Sequence, residues 1–333
     1  MTVDLIRSAP AGRHVRVARA GSPPARSRRQ VTATQRRHRA FYMFTAPWLA
    51  GFVLLTVFPM GYALWLSFTN FDGISPHWRW IGLENYQELL ADPVTRQSLN
   101  RTLLFVLVTV PMTIVAGLAL AVMVNRPLKA RGLFRTLLYL PAVVPPVGAA
   151  LTFKLFFDRN TGAANGVLDV FGMNAVGWLT DPYARYVIVI VVLWGVGNTM
   201  IISLAGLQDM PRELHEAARI DGASAWRSFR SVTLPLLSPV ILFQGITGVI
   251  AALQTFLPLL LAADSTPAGA TSVPQDNYMY MINVFAQYFA HGRFGYASAL
   301  LWVLFAVIVV VTALIFKLTA GAVFYNVDPE AKK

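Results

Sequence analysis

The chain has no cysteine in its 333 residues. Disulfides, thiolate metal sites and thiol nucleophiles are thereby excluded, and the redox compartment is left unmarked. Acidic residues are scarce, 16 against 28 Lys and Arg, and none falls in the long apolar runs described below, which removes the usual means of proton or sodium coupling inside a bilayer. No glycine-rich loop ends in Gly-Lys-Ser or Gly-Lys-Thr, so the chain has no phosphate cradle of its own. His-Glu-x-x-His and Gly-x-Ser-x-Gly are also missing, and the five histidines (His14, His38, His77, His215, His291) are scattered; His215 fits a surface side chain better than a catalytic base. These gaps leave an enzyme as a poor rival.

What is present is apolar: 56% of residues are hydrophobic and 13% charged, a balance foreign to soluble domains. Six runs, at 41–68, 102–124, 136–157, 186–207, 239–263 and 299–323, each approach or exceed the roughly 20 helical residues needed to cross a hydrocarbon core. Helices are required there, because backbone groups in lipid must be satisfied within their own segment. The fold class is therefore an all-α integral membrane protein with six transmembrane helices. Its domains are a basic tail at 1–40, a membrane domain at 41–323 with a charged cytoplasmic segment at 209–235, and a short tail at 324–333. The first tail holds ten arginines and one acid, lacks apolar periodicity and is expected to be disordered. It has no aromatics for base stacking, which argues against nucleic acid.

The positive charges orient the bundle. The connections at 70–101, 158–185 and 264–298 carry six Lys and Arg against nine acids, while the opposite side carries twenty-one basic residues. Both termini and the 209–235 segment are then cytoplasmic. The outer connections carry Trp78, Trp80, Tyr86, Trp178, Tyr278, Tyr280 and Phe294, residues suited to the bilayer interface.

Several runs are not plain lipid-facing helices. Pro141, Pro145 and Pro146 interrupt the third and Pro258 the fifth, and such breaks either line a pathway or kink a packing helix. In the fifth run, Gln244, Thr247, Gly248, Ala251, Gln254 and Thr255 recur at three- and four-residue steps. The fourth run offers Trp194, Gly195, Gly197, Asn198 and Thr199. Amides supply donors and acceptors for a sugar, and an indole can cover the apolar face of its ring. Asn198 and Gln254 are the expected substrate contacts, although interhelical hydrogen bonding and close packing explain the same residues and both roles stay open.

The stretch at 214–235 is a charged island between two apolar runs. Pro211 starts a short helix reaching Asp221, with Leu214, Ala217, Ala218 and Asp221 on one face. Gly222 permits a turn, a second helix fits 223–233, and Leu234 and Pro235 close the unit. Glu216, Ala217, Ala218, Gly222, Val232, Leu234 and Pro235 resemble the EAA signature of membrane subunits of bacterial ATP-binding-cassette importers. Valine at 232 replaces that family's isoleucine. The resemblance extends over 42–323, including Ile81-Gly82-Leu83-Glu84-Asn85-Tyr86, Trp178-Leu179-Thr180-Asp181-Pro182 and Phe294-Gly295-Tyr296-Ala297-Ser298-Ala299. Together these look like the sugar-type permeases, the group of the maltose and glycerol-phosphate importers. Where many relatives have a Gly-Gly-Pro turn after the fifth run, this chain has Ala263-Asp264-Ser265-Thr266-Pro267-Ala268-Gly269.

The resemblance implies the type I importer permease fold in a bacterial cell membrane. It implies a second homologous permease, two ATPase subunits that use ATP and magnesium, and an extracytoplasmic solute-binding protein, with no cofactor held by this chain. It also implies that Glu216, Ala217, Ala218, Asp221, Gly222, Ala223, Leu234 and Pro235 couple to the ATPase. The substrate implied is a sugar or oligosaccharide; a glycerol phosphate derivative, a polyol, an ion-gradient transporter and a passive channel are the alternatives. A reporter fused after Ala217 is expected to read out a cytoplasmic location, and an external signal would reverse the topology.

Overall fold

The computed structural model describes residues 33–127, 129–262, 268–319 and 321. The expectations for 1–32 of the basic tail, for the C-terminal tail at 324–333 and for 263–267 of the outer loop lie outside them. Among the described residues the chain is helical, with one isolated antiparallel bridge, Thr69 to Trp80. Among the described residues three helices are long and apolar enough to cross a membrane, Ala40–Leu66, Pro93–Asn125 and Phe294–Thr319, and three bent pairs raise the number to six when each pair counts as one span.

Packing divides the chain after Phe58. The first unit is α1 (Ala33–Phe52), continued by a π-helical turn at Val53–Val57. The helix starts inside the stretch expected to be disordered: a helix already nucleated by an apolar run adds residues such as Gln35 and Arg36 at little cost. Its large side chains are exposed, with Trp48 stacked on Phe52 at 5.6 Å.

The second unit begins within α2 (Phe58–Leu66) and continues through α3 (Glu84–Ala91) to α4 (Pro93–Asn125). Asp92 caps α4: its carboxylate accepts from the backbone N–H of Val94 at 2.9 Å and of Thr95 at 3.1 Å, and from the Thr95 hydroxyl at 2.6 Å. With Pro93 in the first turn, this cap starts the helix well ahead of residue 102, where hydropathy places it. Burial pushes the Asp92 carboxyl up, but those donors outweigh it and hold the group below the usual carboxylate range.

The third span is α5 (Arg131–Val143) and α6 (Pro146–Phe156), bent by 94°. Val144 and Pro145 are extended between them, since a residue before proline is driven from the helical region. After the short α7 (Ala163–Val170), the fourth span is α8 (Ala184–Trp194) and α9 (Gly197–Gln208), bent by 42°. The island holds α10 (Arg212–Ile220), α11 (Ala225–Ser228), a π-helical turn at Phe229–Thr233 and α12 (Leu234–Leu236). Leu234 and Pro235 thus do not close it; the chain stays helical to Leu236 and bends by 64° into α13 (Ser238–Leu253). In the fifth run the break is at Gln254 to Phe256, and Pro258 sits in the first turn of α14 (Leu257–Leu261), where its missing N–H costs nothing. The proline therefore starts a helix and does not interrupt one. α15 (Tyr280–Phe285) and α16 (Phe294–Thr319) complete the unit.

α4 runs through the centre, packed along α9 and α13. The approach to α9 depends on Gly117, where a β-carbon would meet Thr199 Cγ2 at 2.6 Å. The outer end is tied by two of the resembled segments. Asn85 Nδ2 donates to the carbonyls of Ser67 at 2.8 Å and Thr69 at 2.9 Å, and the Gly295 N–H donates to Phe71 at 2.9 Å. A β-carbon on Gly295 would fall onto the Thr69 carbonyl. Gly295→Ala is expected to destabilise the chain by about 1–3 kcal/mol, whereas Gly148→Ala, which meets open space, leaves the unfolding temperature unchanged or higher. Thermal unfolding in detergent reads the difference.

Candidate functional site

Three helix breaks open onto one place. A hollow of about 330 Å³ is lined by Pro141 and Pro146 from the third span, Trp194, Gly195 and Asn198 from the fourth, and Thr255 and Phe256 from the fifth. A second, of about 340 Å³, shares Val192, Gly195, Asn198 and Thr255 with it and adds Thr109 and Thr113 from α4 together with Gly248. No charged side chain lines either. Breaking a helix frees backbone groups that hydrocarbon cannot satisfy, so breaks gather where protein or water can serve them.

The residues singled out from sequence separate into two kinds. Trp194, Gly195, Asn198, Gly248 and Thr255 lie on the hollows. Asn198 is exposed there and has no hydrogen-bond partner among the described residues, so its amide is free to donate and accept. Thr255 Oγ1 accepts from the N–H of Leu257 at 3.4 Å, leaving its own proton available. Trp194 is set edge-on against Phe153, ring centroids 5.3 Å apart. Gln244 is elsewhere: buried, its Nε2 donates to the Thr199 carbonyl and to Ser203 Oγ, both at 3.0 Å, fastening α13 to α9. Gln254 caps the C-terminus of α13 and lines neither hollow.

Two features escaped the sequence. Thr109 and Thr113 stand one helical turn apart in an apolar run, and their hydroxyls donate to their own helix at Phe105 (2.7 Å) and Val110 (2.9 Å), which turns acceptor oxygens outward. That spacing was a usable signal. The break at Gly195 and Val196 carried only the glycine as a sign.

At the other end, α10 and α11 form a hairpin. Gly222 has φ +72°; its N–H donates to Arg219, and that of Ala223 to Ala218 at 2.9 Å, the paired bonds of a Schellman turn. Ser224 then caps α11 by accepting from the N–H of Arg227 at 3.3 Å. Glu216, Ala217, Asp221 and Gly222 are exposed, and Ala218 and Ala223 are half-buried. Ile220 and Trp226 also face outward. Leu234 and Pro235 follow the hairpin and line an apolar hollow beside Val110 and Ile315, and Leu234 also borders a hollow with Trp226 and Phe229.

Broken spans around an uncharged cavity, with a rigid exposed hairpin at one end, define a polytopic membrane permease. The chain belongs to the family described as the inner membrane component of binding-protein-dependent transport systems, whose model matches residues 113–329. It is 34% identical over 297 residues to the probable ABC transporter permease protein YesP of Bacillus subtilis (strain 168), covering 87% of this chain and 94% of that one. It is 35% identical over 280 residues to the lactose transport system permease protein LacF of Rhizobium radiobacter, covering 83% and 92%. Its fold matches a bacterial ABC transporter involved in import of the acidic polysaccharide alginate, with TM-score 0.72 and 21% identity over 86% of this chain and 96% of the other. The chain is a multi-pass membrane permease subunit with the type I importer fold.

Gln244→Ala is expected to lower stability by about 1–2 kcal/mol, because Ser203 loses its buried partner. Asn198→Ala, exposed and unbonded, is expected to leave unfolding in place and to lower uptake. Thermal unfolding and uptake into vesicles, measured on the same two variants, separate fastening from substrate contact.

Proposed function

We propose that this chain is one of two permeases in an ATP-driven importer that takes up a neutral sugar or oligosaccharide delivered by an external solute-binding protein. The cavity is the observation that carries it. Its lining offers a free amide, threonine hydroxyls and an indole, with no charge, which suits a ligand whose hydroxyls both donate and accept and whose ring has an apolar face. A relative named for lactose transport and one named for trehalose and maltose transport support the same class. A glycerol phosphate derivative or an acidic polysaccharide would call for cations that the lining lacks; a polyol remains compatible with it. An ion-gradient mechanism lacks its carboxylates.

With both termini cytoplasmic, the hairpin faces the ATPase pair. ATP and magnesium act in those subunits; this chain receives the motion. The helix carrying Glu216, Ala217 and Ala218 docks on one ATPase, Glu216 anchoring by charge and the alanines allowing close approach. Closure of the pair pushes the hairpin and swings the bundle from inward- to outward-facing. A short helix locked at Gly222 transmits that push, where a loose loop would absorb it. The solute-binding protein docks on the outer connections, and the second permease supplies the rest of the translocation path.

Gly222 separates conformation from contact, because a β-carbon there meets nothing within 4 Å. Gly222→Val must leave the left-handed region or bear a strain of about 1–2 kcal/mol, while Gly222→Asn tolerates it. Uptake and ATPase stimulation are expected to fall several-fold in the valine variant, with membrane insertion retained, and to survive in the asparagine variant. Undiminished uptake with valine removes the coupling role.

A further inference from the structure

The connection between the third and fourth spans carries an apolar tip at the end of α7, clear of both hollows. Val170 is 81% exposed, Phe171 74%, Val167 58% and Met173 56%. Four apolar side chains on one small turn of chain are costly in water. The tip is built and not loose. Asn165, 6% exposed, donates from Nδ2 to the carbonyls of Arg159 and Val176, both at 2.9 Å, and its Oδ1 accepts from the Val176 N–H at 3.0 Å and from Trp178 Nε1 at 2.9 Å. Gly172, at φ +68°, closes α7 with a second Schellman turn: its N–H donates to Asp169 at 2.9 Å, and that of Met173 to Leu168 at 3.0 Å. The scaffold buries Asn165 while Val167, Val170, Phe171 and Met173 face out, beside the exposed Asp169 and Asn174.

We infer that this tip is a lipid-binding surface, seated in the outer leaflet of the bilayer at the level of the headgroups and upper acyl chains. Three observations select lipid. Between 160 and 180 the only charged residue is Asp169, so the surface has little with which to orient a protein partner by charge. α6, packed against α7, presents Leu151, Leu155 and Phe156 outward, so the apolar tip continues an exposed apolar face of the span. Trp178 and Tyr183, 6.1 Å apart and edge-on, stand at the foot of the loop, the residue types that mark a membrane interface. The seat has a mechanical consequence. α6 runs from the cavity at Pro146 to this loop, so its outer end is held by lipid while its inner end borders the substrate path.

The absence of native cysteine makes the test direct. Phe171→Cys and, independently, Met173→Cys are labelled with an environment-sensitive dye on the full chain, reconstituted into nanodiscs with the subunits that co-purify. Asn160→Cys, exposed at the foot of the loop, serves as the control. Dye at 171 and 173 is expected to emit to the blue of dye at 160, to be quenched by lipid spin-labelled near the headgroup, and to resist iodide. Quenching by iodide without quenching by lipid overturns the inference. So does protection from both quenchers, which would mean that another protein chain covers the tip.

Discussion

A peptide group inside hydrocarbon must find its partner within the protein, and the architecture of this chain follows from where that demand is relaxed. Three spans are broken, by prolines in one case, by Gly195 in another and by the end of α13 in the third. Had these breaks faced lipid, each would have exposed unpaired N–H and C=O groups at several kcal/mol apiece. They face one another instead, around a hollow with Asn198 and Thr255 at its waist. The cavity is thus the place where irregular backbone is tolerated, and a permease needs such a place near mid-membrane.

Hydropathy and charge made the membrane class and the number of apolar runs legible, because both depend only on composition averaged over a run. Boundaries were less legible. α4 begins at Pro93 since a single capping carboxylate, Asp92, outweighs the polar residues that follow, and window averages do not register a cap. Pro258 was read as a break because proline is a breaker in general; its harmlessness depends on lying in a first turn, which becomes visible only once the preceding break is known. For the site, residue type was legible and direction was not. Gln244 and Asn198 carry the same amide chemistry, yet one is fastened to Ser203 and the other is free, and spacing along a helix cannot say which neighbour stands opposite.

The chain uses one local device at both ends. Gly222 and Gly172 each occupy the left-handed position of a Schellman turn, and each ends a short helix with exposed side chains. A helix of eight or nine residues is marginal alone. Closing its last carbonyls keeps it rigid without help from a core, which a surface element meant to bear on a partner or a bilayer requires.

Rigidity and freedom are also divided within the bundle. α4 and α9 are pressed together at Gly117, and α13 is fastened to α9 through Gln244, Thr199 and Ser203. These three helices form a block that carries Asn198 and the threonines of α4 on one surface, with Thr255 just past the end of α13. The hairpin feeds directly into that block, because α11, the π-helical turn and α12 are continuous up to the 64° bend at Leu237, where α13 begins. The path from the hairpin to the cavity wall is thus helical, with a single bend on the way. The lighter element is α6, which meets the cavity only at its first turn, beyond a 94° break. Motion of the block past α6 would open or close the hollow without breaking a hydrogen bond in either, since helical bonding is already interrupted at Val144 and Pro145.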